Sequence, residues 1–397
     1  MQSPKILIIT PGLGTGGAQK VFHDQLRFYT RHFETVGCIF NWDGALPEER
    51  NLNVLSLEVP AGKNLATKLY FFFLRIIRLR RLKRQYQFTT SFSHLEGADY
   101  VNILSRHREK VFCYIHGTKL HDGAIRGFLG WFRKKIMIPL LYRRADRILV
   151  VSKGIQKELL TRFNFSSKKV KVIINGLDLS KIESQIREAI PDEVISLLGT
   201  HKTISLCSRL APQKNQEAFL HVYAHLIKQH DCKLIIIGDG ELRAHLINQC
   251  VQLGLNVFQI WNGMPVSQEH DVYFLGNQIN PFPFLSRTSV FALPSAWEGF
   301  PLALCEAMAC GLPVVSSDCP TGPREILRDD RGDVNYGILL PIPSINAHDT
   351  VRKWEENLSA LLRDEKLRAT YAASAKQRSR EFDKERQESA WLDILKD

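Results

Sequence analysis

Short apolar runs separated by amphipathic stretches of helical period recur along the whole chain. Apolar runs of four to eight residues between helical patterns argue for buried strands of parallel sheets. In the first half the strand candidates are 5–10, 35–40, 53–57, 88–92, 110–116, 147–151 and 171–174. In the second half they are 203–208, 233–238, 272–275, 290–293, 313–316 and 337–340. Two such series predict two Rossmann-like α/β domains. The Asn175-Gly176 turn signal ends the first series, and a polar helical stretch precedes the second. The expected division is therefore 1–178 and 179–378, followed by a charged helix over 379–397 that carries Trp391, Leu392 and Ile394. A chain of 397 residues exceeds what one core usually holds, which agrees with two domains.

The run from Pro294 to Val315 carries the strongest chemical signal. It places Glu298 and Glu306 on either side of a predicted helix start. Pro301 suits a first helical turn, and Gly311-Leu-Pro313 stops the helix. Backbone amides around Gly299, Phe300 and Leu302 then head a helix, and the first amides of a helix attract anions. Carboxylates beside an anion site are repulsive unless they serve another purpose, such as binding hydroxyl groups. Phosphate cradle and hydroxyl-binding acids together point to a nucleotide-sugar. The competing reading makes both glutamates solvated helix ends, with Glu298 gaining only a few tenths of a kcal/mol from the helix dipole.

With Asp318 to Leu327 added, this segment resembles the retaining glycosyltransferases of family 4, whose two-domain fold is called GT-B. The resemblance extends over nearly the whole chain. It implies two Rossmann-like domains facing across a cleft, with the last helix crossing back onto the first domain. It also implies a role for each matching residue. Arg209 and Lys214 would neutralise the diphosphate, and Glu298 would fix the sugar ring. Glu306 would bind the ribose, Pro301 would open the helix, and Asn277 would sit in the turn that flanks the base. Gly16 and Gly17 would bring backbone close to the diphosphate. His116 would line the reaction centre, and His94 is a weaker candidate for the same place.

Each assignment has a plain rival. Gly12, Gly14 and Gly17 formally satisfy a dinucleotide-binding pattern, but the acidic residue expected about 20 positions on is missing. The loop could also be a tight turn. Arg209 and Lys214 could decorate a solvated loop, and a histidine ending a buried strand is commonly a satisfied core residue. Gly238 to Glu241 reads equally well as a turn at a helix start. No Asp-x-Asp follows a strand, and the loop from Asp329 to Asp333 reads as a turn, so no metal is expected. No cofactor is expected beyond the donor substrate, a UDP-sugar by resemblance.

Charge is divided unevenly: residues 1–179 carry +17 and the remainder −5. Two segments concentrate it. The segment 63–84 joins Leu69 to Leu74 with Arg75, Arg78, Arg80, Arg81, Lys83 and Arg84. The segment 126–147 joins Trp131 and Phe132 with Arg133, Lys134 and Lys135. Aromatic and cationic groups together suit an anionic membrane surface. A core helix with one solvated basic face is the alternative, and no nucleic-acid motif accompanies the charge. No apolar stretch reaches the ~20 residues of a membrane span. The eight cysteines form no Cys-x-x-Cys pair and read as reduced thiols. The expected location is the cytosolic face of the cell membrane, with a lipid-linked or glycan acceptor.

Overall fold

The computed structural model describes residues 4–14, 16–43, 53–121, 127–329, 331–332 and 334–396; the side chains of Phe128 and Leu129 lie outside this description. Two compact units form, one from 1–175 with 388–397 and one from 176–387. The first holds seven strands: β1 (Lys5–Thr10), β2 (Glu34–Ile39), β3 (Val54–Ser56), β4 (Thr90–His94), β5 (Lys110–Ile115), β6 (Arg147–Val150) and β7 (Val170–Val172). Their order is β3-β2-β1-β4-β5-β6-β7, and every recorded pairing is parallel.

The second unit repeats the plan with β8 (Lys202–Cys207), β9 (Cys232–Ile237), β10 (Val257–Gln259), β11 (Val272–Phe274), β12 (Val290–Leu293), β13 (Val314–Ser317) and β14 (Ile338–Leu340). Here the order is β10-β11-β9-β8-β12-β13-β14, again all parallel. Thirteen of these strands fall where the apolar runs predict them. The exception, β10, is a three-residue edge strand, too short to show a pattern.

The strands are covered on both faces, so they read as unbroken apolar runs: Ile6 to Ile9 and Leu234 to Ile236 are almost wholly inaccessible. Around β8 and β9 the second core gathers Leu206, Ile236, Val290, Trp354 and Leu358. In each sheet the strand order reverses at one place, between β1 and β4 and between β8 and β12. Ligands of open parallel sheets bind beyond the carboxyl ends of the strands at such reversals.

The carboxyl-terminal stretch departs from the single helix expected over 379–397. A helix (Glu365–Ser379) ends there, a 3₁₀ turn follows at Arg380–Phe382, and a new helix runs Lys384–Lys396. Leu177 and Phe382 explain the break, since the Leu177 N–H donates to the Phe382 carbonyl and forms a bridge with the flanking Asp383.

The two basic segments also differ from expectation. In the helix Leu65–Tyr86, the guanidinium of Arg75 donates to the Val59 and Pro60 carbonyls, and Arg78 donates to Leu57 and Glu58. Lys83 is wholly buried, 2.7 Å from the Glu109 carboxylate. In the second segment Arg133 is buried and ion-paired with Glu96, while Lys134 bonds the Leu120 carbonyl. Arg126 lies outside the described residues. Much of this charge therefore holds the domain together. What remains outward is an apolar line, Leu65, Leu69, Tyr70, Phe73 and Ile77, continued by Arg80, Arg81 and Arg84. Among the described residues no helix is long and apolar enough to cross a membrane.

Candidate active site

The two strands flanking the reversal of the second sheet carry the predicted residues. After β8 the chain passes Arg209 and turns through Pro212–Lys214 into the helix Gln216–Leu226. After β12 it runs from Pro294 to Pro301 and enters the helix Leu302–Ala309. Polar groups fasten the two loops together. The Ala296 N–H donates to the Gln213 carbonyl (2.8 Å), the Gln213 amide donates to the Trp297 carbonyl (2.8 Å), and the Asn215 amide donates to the Pro294 carbonyl (3.1 Å).

This fastening places Lys214 Nζ 2.6 Å from Glu298 Oε1, and the Ser295 hydroxyl donates to the same oxygen at 2.6 Å. Glu298 is only 4 % exposed. A charge so deeply placed stays tolerable because it is paired and hydrogen-bonded. Pro301 stands at the N-cap, one position before the helix, and contributes no side-chain cap. Among the described residues the N–H groups of Gly299, Phe300 and Leu302 meet no protein acceptor. A helix start with unmet amides beside a lysine favours an anion.

Glu306 lies in the second turn of that helix and is partly buried. Its direction is visible through a neighbour: burial pushes the Cys207 thiol up to about 12, and the Glu306 charge adds to the rise. Cys207 ends β8, so Glu306 reaches toward the strand that delivers Arg209. Arg209 itself is exposed and holds Glu241 Oε2 through Nη2 (2.7 Å) and Nε (3.1 Å). The turn that supplies Glu241 must lie flush against the loop after β8. A Cβ on Gly238, whose φ is +134°, would stand 2.1 Å from the Ser208 carbonyl oxygen. At Gly322, φ +92°, the loop after β13 also runs close, and a Cβ would stand 2.7 Å from the Gly299 carbonyl oxygen. Asn277 follows β11 and is exposed, beside Gly276, whose carbonyl accepts from the Gly238 N–H at 2.7 Å.

Arg209, Lys214, Asn277, Glu298, Gly299, Phe300, Pro301, Leu302 and Glu306 thus all follow strands at the carboxyl ends of the second sheet or belong to the helix there. The first unit presents its own set at the same ends of its sheet. Gly16 and Gly17 are exposed at the start of the helix Gly17–Thr30, after β1. His94 ends β4, and His116 follows β5. The two rings are joined by a 2.8 Å hydrogen bond between His94 Nδ1 and His116 Nε2. Thr15, Asp330 and Asp333 lie outside the described residues. Among the described residues no three acidic, histidine or cysteine side chains converge as metal ligands would.

Sequence reasoning missed the supporting groups Ser295, Gln213 and Gln25. Ser295 stands three residues before Glu298 and Gln213 one residue before Lys214, and that spacing was the available signal. The turn Gly238 to Glu241, which the sequence leaves open between a plain turn and a nucleotide contact, supplies Glu241 as the partner of Arg209.

Residues 191–378 match the family model described as glycosyl transferases group 1, and residues 15–181 match glycosyltransferase family 4. The chain belongs to the family 4 glycosyltransferases, and its two parallel sheets are the Rossmann-like halves of the GT-B fold. One similar protein is the N-acetylgalactosamine-N,N'-diacetylbacillosaminyl-diphospho-undecaprenol 4-alpha-N-acetylgalactosaminyltransferase of Campylobacter jejuni, 29% identical over 96% of both chains. Another is the UDP-Gal:alpha-D-GlcNAc-diphosphoundecaprenol alpha-1,3-galactosyltransferase of Escherichia coli, 24% identical over 61% of both. Among solved structures, Anabaena HepE in complex with UDP and glucose aligns with a TM-score of 0.74 at 18% identity, over 99% of both chains.

Proposed function

We propose that this protein transfers a hexose or N-acetylhexosamine from a UDP-sugar to a hydroxyl of a lipid-linked or membrane-associated glycan, retaining the anomeric configuration. The observation that carries the reading is the helix start at Gly299 to Leu302, with unmet amides, beside the Lys214–Glu298 pair. Donor and acceptor class are supported by the relatives, whose names specify sugars added to diphospho-undecaprenol carriers, and by the neighbour that holds UDP.

In this reading Lys214 and Arg209 exchange their present carboxylate partners for the diphosphate. Arg209 contributes a planar fork and Lys214 a compact charge. Glu298, released from Lys214, accepts hydrogen bonds from the sugar hydroxyls, and Glu306 accepts them from the ribose. The bond between the anomeric carbon and the diphosphate oxygen breaks as the acceptor oxygen attacks from the same face. The acceptor proton passes to an oxygen of the leaving diphosphate. Fixed cations and amides aimed at developing charge supply the stabilisation that a metal gives other transferases.

The first unit supports contact with an anionic membrane surface at the cytosolic face. Its outward apolar line on the helix Leu65–Tyr86 ends in three arginines, and Trp131, Phe132, Ile136 and Leu140 are exposed elsewhere on the same unit. Each cation near such a surface adds about 1 kcal/mol.

A thermal-shift panel of nucleotide-sugars, followed by transfer of the labelled sugar into membrane lipid, tests the reading. A UDP-sugar that stabilises the protein and labels an extractable lipid is expected. Binding without transfer, transfer abolished by chelator, or donor density away from the helix at Leu302 would overturn it.

A further inference from the structure

Two histidines of the first unit, His94 buried and His116 partly buried, belong to a hydrogen-bonded chain that has a direction. The rings of His94 and His116 stack with centroids 5.1 Å apart and planes 21° from parallel. His94 Nδ1 lies 2.8 Å from His116 Nε2, and His94 Nε2 lies 2.8 Å from Gln25 Oε1. Burial, reinforced by His116, holds the His94 pKa well below its ordinary value. Burial and then the Lys119 charge lower that of His116 to about 3. Both rings are therefore neutral near pH 7, and each has one N–H and one bare lone pair.

A chain of neutral imidazoles has to run one way. Gln25 offers its carbonyl oxygen, so His94 donates from Nε2 and keeps its lone pair on Nδ1. His116 must then donate from Nε2, which leaves the lone pair on its Nδ1. That nitrogen is buried and has no hydrogen-bond partner among the described residues. A buried acceptor left unmet is costly and calls for a partner.

Gln25 shares a helix with a tyrosine held by the end of the chain. Gln25 precedes Tyr29 by about one turn on the helix Gly17–Thr30. The Tyr29 hydroxyl donates to the Trp391 carbonyl at 2.8 Å, leaving only lone pairs for any other neighbour. Burial and then Tyr114 raise the Tyr29 pKa, and the nearby Gln25 side chain works against that rise, although Gln25 Nε2 makes no hydrogen bond among the described residues. The Gln25 oxygen, 2.8 Å from His94 Nε2, sets the direction of the histidine pair.

We propose that Gln25 and His94 are positioning residues that fix His116 as the Nε2–H tautomer, leaving its Nδ1 lone pair to accept a hydrogen bond from a substrate hydroxyl. The hydroxyl rests on the transferase reading above; the tautomer does not. His116 is partly exposed, and the Cβ side of the adjacent Gly117 is open.

Ring-nitrogen NMR of the full chain, labelled with ¹⁵N-histidine and free of substrate, reads the tautomers directly. Both rings should carry their proton on Nε2. Gln25→Lys, which puts a donor where the oxygen stood, should move both protons to Nδ1. Gln25→Leu, which only removes polarity, should give a tautomer mixture. A His116 protonated on Nδ1 in the unaltered chain, or tautomers unmoved in a folded Gln25→Leu variant, would overturn the proposal. Transfer assays with the donor found in the panel separate the two claims. Turnover about tenfold lower in Gln25→Lys, the scale of one buried hydrogen bond reversed, supports the hydroxyl contact. Unchanged turnover with reversed tautomers refutes that contact alone. Absence of transfer in the unaltered chain refutes the transferase reading and leaves the tautomer result intact.

Discussion

Arg209 and Lys214 were expected to act as a pair, and their surroundings separate their effects. Arg209 is two-thirds exposed and meets Glu241 in solvent, so that ion pair is worth little to stability. Arg209→Ala should leave the melting temperature almost unchanged and lower kcat by about a hundred- to a thousandfold, in line with loss of one charge-stabilising donor. A melting shift with normal turnover would contradict its placement on the diphosphate. Lys214 is different because it offsets a carboxylate that is 4 % exposed. Its removal would unsettle the loop as well as the donor, and activity loss there says less about chemistry. Asp99 sets a pH dependence. Burial raises its pKa to about 7, against the lowering by Lys119, Tyr142 and Ser93. A carboxyl with a raised folded-state pKa binds its proton more tightly when folded, so its contribution to stability is lost as pH climbs from about 4 to about 7. Asp99→Asn should flatten the fall of melting temperature across that window; an unchanged slope would show that Asp99 does not titrate there.

At the scale of elements, the helix Leu65–Tyr86 carries two kinds of charge that sequence could not tell apart. Lys83 needs the Glu109 carboxylate, which is 26 residues away in the chain and adjacent in the fold. Arg75 and Arg78 spend their donors on the carbonyls that follow β3. The outward line from Leu65 to Ile77 has no such duty. Phe73→Glu, on a residue 59 % exposed, should therefore leave stability within about 0.5 kcal/mol and weaken sedimentation with phosphatidylglycerol vesicles. Equal sedimentation of both proteins would remove this helix from the membrane contact. The helix Leu302–Ala309 was legible to within a residue because Pro301 and Gly311 bracket it. The break at Asp383 was not legible, since its cause is a bridge to Leu177.

Across the whole molecule, the chain leaves the first unit at Asn175 and returns to it at Glu388. The returning helix buries Trp391 and Ile394, and Tyr29 bonds the Trp391 carbonyl. Deleting 388–397 should lower the melting transition of the first unit by several degrees and leave that of the second in place, as resolved by calorimetry. Equal shifts in both transitions would mean that this helix is not specific to the first unit's stability.

The alternation of apolar runs with helical periods determined two parallel sheets, since strands covered on both faces must be continuously apolar. The same pattern fixed thirteen strands and placed Glu298, Arg209 and Lys214 beyond strand ends and Glu306 in the helix that follows, because a residue's address follows from the strand before it. What only the folded chain decided is partnership. Glu298 with Lys214, Arg209 with Glu241, Lys83 with Glu109 and His116 with His94 and Gln25 join residues between 22 and 84 positions apart. Local periodicity carries no record of such pairs, because strand order, rather than distance along the chain, determines which ends meet.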